Sequence, residues 1–165
     1  MQGVIIKMNS QISYGLGLFQ GDGCFGINKK KKVLKDGTLK MYKNPYINFS
    51  STDLYLVEFF KNTFKIDSKI VTSIDKRKTT YKPYYRVQTY NKDLINFMKK
   101  CGLGFYKELN INLLLNSIEG FEWSFIRGLL DTDGTVSKNT KTGYLEIFTN
   151  DLQVGFWLET FFLKK

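Results

Sequence analysis

Two aspartates, each followed by glycine, stand 111 residues apart as Asp22-Gly23 and Asp133-Gly134 in a chain without a single histidine. The lack of imidazole excludes histidine-based nucleases, serine-type triads and most zinc hydrolases, so any hydrolysis must run on carboxylates, lysines and bound metal. Each aspartate closes a similar stretch, SYGLGLFQGDG at 13–23 and SFIRGLLDTDG at 124–134. Small residues recur four apart in both: Ser13, Gly17 and Gly21, then Ser124, Gly128 and Thr132. On a helix these positions share a face, which gives a narrow smooth stripe where two backbones can approach closely. The following glycine is a natural terminator. Paired along their stripes, two such helices bring Asp22 and Asp133 side by side at one end.

The rest of the composition narrows the partner. A length of 165 residues is enough for one moderate domain with a real core, and 42% hydrophobic residues are too many for disorder. The formal charge of +10 points to a polyanion, of which nucleic acid is the commonest. No long basic amphipathic helix favours an anionic membrane instead. Cys24 and Cys101 lack a CxxC partner, so neither a zinc site nor a disulfide framework is indicated. With no signal peptide and no spanning stretch, the expected location is intracellular, cytoplasmic or organellar, and away from membranes.

The elements that must position the aspartates follow in order. A helix is expected over 11–22, with Ile12, Leu16 and Phe19 on its apolar face. After Gly23 the period changes to two. Phe25 and Ile27 point inward, while Cys24, Gly26, Asn28, Lys30 and Lys32 point outward. Asp36-Gly37 signals a turn, and the return strand over about 42–50 sends Ile47 and Phe49 inward, Asn48 and Ser50 outward. Thr52 or Asp53 caps a helix to about Phe64, with Leu54, Val57, Phe60 and Phe64 on one side. A second hairpin places Arg77 on its first strand, and Tyr84, Arg86 and Gln88 on one face of its return strand. A helix from Asn91 or Asp93 and an irregular stretch over 102–111 lead to the second striped helix. Beyond Gly134 the order restarts, with Thr135, Ser137 and Asn139 outward, a turn at 141–143, a strand over 144–148 and a helix over 151–163. INFSSTDL at 47–54 and LEIFTNDL at 145–152 fall at the same step after their motifs. The fold class is therefore α+β, built from tandem αββαββα repeats. Residues 1–110 form the first repeat, and 111–165 hold a linker and a shortened second one.

GLGLFQGDG at 15–23 and IRGLLDTDG at 126–134 resemble the paired signatures of the LAGLIDADG homing endonucleases. Gly15, Leu16 and Gln20 depart from the signature in the first copy. In the second, Arg127 replaces a usual small residue and Thr132 stands at the helix crossing. The resemblance implies two motif helices at the centre, antiparallel sheets forming a saddle over duplex DNA, and site-specific phosphodiester hydrolysis. It assigns catalysis to Asp22 and Asp133, which would bind Mg²⁺ (or another divalent cation such as Mn²⁺) with help from the carbonyls of Gly21 and Thr132. Lys107 sits where the family places a basic catalytic residue. A hard cation suits such a site, because it prefers oxygen ligands and relieves the repulsion between adjacent carboxylates.

DNA contacts are expected from outward strand positions: Asn28, Lys30, Lys32, Asn48, Ser50, Arg77, Tyr84, Arg86, Gln88, Ser137 and Asn139. Arginine and lysine suit guanine, asparagine and glutamine suit adenine, and lysines also hold phosphates. The alternatives that keep the fold are an intron RNA maturase and a non-cleaving or degenerate DNA-binding member. A pseudo-symmetric monomer is the simplest assembly, with a dimer or a second chain as the way to complete a truncated second repeat.

Overall fold

The computed structural model describes residues 6–74, 83–105, 109–137, 144–149 and 151–163, with the backbone alone at 136 and 137. The chain opens with helix α1 (Ser10–Asp22), then strands β1 (Gly23–Val33) and β2 (Leu39–Ser51) and helix α2 (Leu54–Thr63). Strands β3 (Val71–Ser73) and β4 (Tyr84–Thr89) and helix α3 (Lys92–Lys100) complete the first αββαββα unit. Helix α4 (Ile111–Ile118) links it to α5 (Glu122–Asp133), β5 (Gly134–Ser137), β6 (Tyr144–Ile147) and α6 (Leu152–Leu163). Among the described residues, no helix is long and apolar enough to cross a membrane.

Short polar side chains start most of the helices. Asn9 accepts from the Ile12 amide at 2.8 Å, Asp53 from Tyr55 at 2.8 Å, Asn91 from Asp93 and Leu94, and Asn110 from Leu113. Each bond satisfies one of the amides that a helix N-terminus leaves without an intrahelical partner. Of the alternatives in sequence, the caps are thus Asp53 and Asn91.

The first sheet is antiparallel, in the order β1-β2-β4-β3. Its inner face carries Phe25, Ile47, Phe49 and Val87, all buried. Against it pack Val57 and Phe60 of α2 and Leu94, Ile95 and Met98 of α3. The Phe60 ring stacks on Phe49 at 4.6 Å and on Phe19 of α1 at 6.0 Å, tying the sheet to the first striped helix.

Two inward assignments are corrected. Ile27 is 41% exposed, because β1 and β2 run on as a two-stranded arm past the last core residue, Phe25. Leu54 is also exposed, and Leu56 takes its place in the core. The other half has a two-stranded sheet, β5-β6, with Gly134 opposite Ile147 just as Gly23 lies opposite Phe49.

Candidate active site

The centre of the molecule is the contact between α1 and α5, and it follows the small residues step by step. The Ser13 hydroxyl, fully buried, donates to the carbonyl of Phe121 at 2.9 Å. At the next step Gly17 and Gly128 touch backbone to backbone. A Cβ on Gly17 would stand 3.0 Å from the Gly128 Cα, and one on Gly128 only 2.7 Å from the Leu18 amide nitrogen. At the third step a Cβ on Gly21 would lie 2.7 Å from Thr132 Cβ and 3.2 Å from Asp133 Oδ2. The Asp133 carboxylate therefore rests against the residue that precedes Asp22. Leu16, Leu18, Phe125 and Ile126, all fully buried, flank this stripe and hold the helices together.

Both aspartates are the last residues of their helices, and strands leave at once from Gly23 and Gly134. These glycines are extended, with φ −87° and −89°, so they do not use the left-handed backbone common at helix ends. They are needed for close approach. A Cβ on Gly23 would stand 2.6 Å from Phe19 Cγ, and one on Gly134 would stand 2.8 Å from the Leu130 Cα. Each glycine amide donates back to a helix carbonyl, of Phe19 or Leu130. The Asp133 carbonyl accepts from the Phe148 amide at 3.1 Å, which fixes the start of the second hairpin.

The electrostatics of this end favour a cation. Asp22 and Asp133 each end a helix, where the negative end of the helix dipole and the last carbonyl oxygens are presented. Asp22 also lines an open groove of about 350 Å³ with Ser50, Tyr84, Asp131 and Thr132. No group of three or more acidic, thiol or imidazole side chains is placed to hold a metal among the described residues. Carboxylate and main-chain oxygens are the kind of donor that a small hard cation takes while keeping several waters.

A polar clamp beside the stripe joins the two helices. The Tyr14 hydroxyl donates to Asp131 Oδ2 at 2.6 Å, and the Arg127 guanidinium lies 5.6 Å from the Tyr14 ring centre. Arg127 Nε is 3.8 Å from the same carboxylate. Burial first, and then the bond to Asp131, push the Tyr14 phenol well above its ordinary range, so it stays a neutral donor. Arg127, a departure from the family signature, is thus the cation that completes this clamp.

The outward sheet positions gather on one face. Asn48 pairs with Cys24 and Gln88, and Ser50 with Arg86, which puts Asn28, Asn48, Ser50, Tyr84, Arg86 and Gln88 on one surface of the first sheet. Ser50 and Tyr84 reach the Asp22 groove, while Lys30 and Lys32 are exposed along the arm. Ser137 ends β5 opposite Tyr144, and no side-chain placement is described for it. Arg77, Lys107 and Asn139 lie outside the described residues.

The family model of the LAGLIDADG endonucleases matches residues 16–117, and that of a LAGLIDADG-like domain matches 120–154. The chain belongs to the LAGLIDADG endonuclease family. The I-LtrWI LAGLIDADG homing endonuclease bound to target DNA is similar in fold. Its TM-score is 0.51 at 14% identity, over 92% of this chain and 70% of that one. A mutant of I-SmaMI gives a TM-score of 0.52 at 14% identity, over 93% of this chain and 73% of its own. No curated protein matches the chain.

Within this family frame, the sequence alone assigned no site role to five residues of the site region. Arg127 and Asp131, four apart on α5, were a visible helical ion pair. Nothing local announced that Tyr14, 117 residues away, shares their carboxylate. Tyr46 and Tyr90 carry the right parity for the outer sheet face, and alternation alone could have placed them there.

Proposed function

We propose that this chain is a site-specific endonuclease that hydrolyses phosphodiester bonds in duplex DNA with a divalent cation, Mg²⁺ or Mn²⁺. The observation that carries this reading is the close packing of α1 against α5, the two helices that end in Asp22 and Asp133. Main-chain oxygen of Gly21 and Thr132 would complete their hold on the cation, which when bound supplies polarisation of the phosphate and activation of a water. In this reading the helix contact would set the spacing of the two carboxylates, and the Tyr14–Asp131–Arg127 clamp would resist sliding of the helices. The outer sheet face then sets the register of the duplex, with Lys30, Lys32, Arg77 and Arg86 toward phosphate or guanine and Asn28, Asn48 and Gln88 toward adenine. Ser50, Tyr84, Ser137 and Asn139 extend that face, and Lys107 is assigned to the scissile phosphate. In this reading residues 1–110 are the first DNA-reading unit, and 111–165 are the linker and the second. A charge of +10 supports a phosphate-rich partner, and affinity is expected to fall steeply with salt.

The test is incubation with a randomised duplex library and Mg²⁺, followed by sequencing of the cut ends. Asp22→Asn and Asp133→Asn are each expected to lower cleavage by roughly a thousandfold or more, since several kcal/mol of transition-state stabilisation leave with the cation. DNA binding by these variants should stay within about threefold of the parent, because phosphate contacts on the sheet carry it. Loss of binding equal to the loss of cleavage overturns the assignment. Tight binding of structured intron RNA with no cut DNA would make the chain a maturase.

A further inference from the structure

Resting on the DNA-reading role just proposed, we infer that Tyr90 is a positioning residue that sets base preference at two places in the target by orienting the amides of Asn28 and Gln88. Its hydroxyl accepts from Gln88 Nε2 at 2.8 Å and from Asn28 Nδ2 at 3.4 Å. The two amides come from β4 and β1, strands separated by β2, so a single phenol oxygen spans the sheet.

That oxygen is held from both sides. Tyr90 lies between the end of β4 and α3, where Thr89 Oγ1 accepts from the Asn91 amide and Asn91 caps the helix. Its ring meets Tyr46 edge-on, with centroids 5.8 Å apart. Tyr46 in turn packs against Gly26, where a Cβ would stand 2.6 Å from its Cε1. The pair forms an aromatic brace across three strands, on the same face as Asn48 and Arg86. Tyr90 is 47% exposed, so the brace sits at the surface where a duplex would lie.

The chemistry of the brace selects what the amides can read. A primary amide offers two N–H donors and one carbonyl acceptor, and unrestrained it presents either end outward. A phenol has one hydrogen, so two amides can bond to it together only if at least one gives an N–H. Here both do. Each amide therefore spends one N–H on Tyr90 and keeps its carbonyl and second N–H for a ligand. One acceptor beside one donor is the pattern that recognises the N6 and N7 edge of adenine in the major groove. The structure thus favours an A·T pair at each of the two positions.

The experiment selects bound sites from a randomised duplex pool with the full chain in parent, Asn28→Ala, Gln88→Ala and Tyr90→Phe forms. The alanine variants locate the base pair that each amide reads. A well-made amide–adenine contact discriminates by roughly 5- to 150-fold. Tyr90→Phe, which removes only the hydroxyl, is expected to flatten preference at those two positions by about fivefold or more, leaving other positions and the salt slope unchanged. A parent-like profile in Tyr90→Phe overturns the inference and leaves the DNA-reading role standing. Uniform loss at every position, with a lowered melting temperature, makes Tyr90 a folding group and also overturns it. A parent that enriches no site overturns both readings together.

Discussion

Ile47 and Leu145 occupy the same step of the two copies, two residues before the strand position that pairs with each motif glycine. Ile47 is 1% exposed, whereas Leu145 is 54% exposed. Phe64 and Phe162, at matching steps after α2 and α6 begin, differ likewise, at 5% and 44%. The side chains are equally apolar, so residue type does not explain the difference. Neighbours do. In the first copy β4 extends the sheet and α3 lays Leu94, Ile95 and Met98 over the inner face. In the second, the described residues after the motif helix supply two strands and one helix, and Leu145, Phe156 and Phe162 stay open to solvent. A hairpin pattern specifies which face is apolar, and only the remaining layers decide whether that face is buried.

The sharpest way to break this comparison is to truncate the matched pair. Ile47→Ala removes a side chain that touches β4 and α3 surroundings and should cost about 2–5 kcal/mol. Leu145→Ala should cost no more than about 0.5 kcal/mol, as for a solvent-facing position. Chemical denaturation of both variants measures the difference directly. Equal costs would mean that Leu145 is buried in the working protein by something beyond the described residues.

At the helix contact the copies should instead behave alike, since Gly17 and Gly128 each face the other's backbone. Alanine at either position meets main chain that cannot rotate away, so each is expected to cost about 1–3 kcal/mol. The matched costs would appear in the same denaturation series. If Gly128→Ala were neutral while Gly17→Ala were not, the second helix would be free to shift, and the symmetry of the aspartate pair would go with it.

How far the sequence made this legible depended on the range of the interaction. The striped helices, the caps and the hairpin alternation all rest on residues within four of one another. The helices lie as the pattern implied, the caps are one of the two candidates offered at each start, Asp53 and Asn91, and the alternation gave the face of each strand residue but not its burial. The Gly17–Gly128 contact was legible despite its separation because both partners carried the same spacing. What failed was anything that needed the third dimension. Ile27 obeys the alternation perfectly well and is still solvated, since the core stops beneath Phe25. Tyr14 finds Asp131, and Tyr90 gathers two amides, through partners that share no local pattern. The exposed state of Leu145 was unreadable for the same reason.

The smallest expected effect reaches the same question from the opposite side. Gly155 sits in α6 at the step that Val57 fills in α2, where Val57 is fully buried. A Cβ on Gly155 would meet only the Thr149 methyl carbon, at an ordinary 3.8 Å. Nothing opposes alanine there, and removing a glycine from a helix interior should stabilise the fold by about 0.5–1 kcal/mol. The gain would be read as a rise in the denaturation midpoint with an unchanged slope. A loss would show that some backbone approaches Gly155 closely in the working protein, as glycine permits and valine in the first copy does not. The two copies would then differ by design in what they dock, rather than merely in how much of the shared plan each completes.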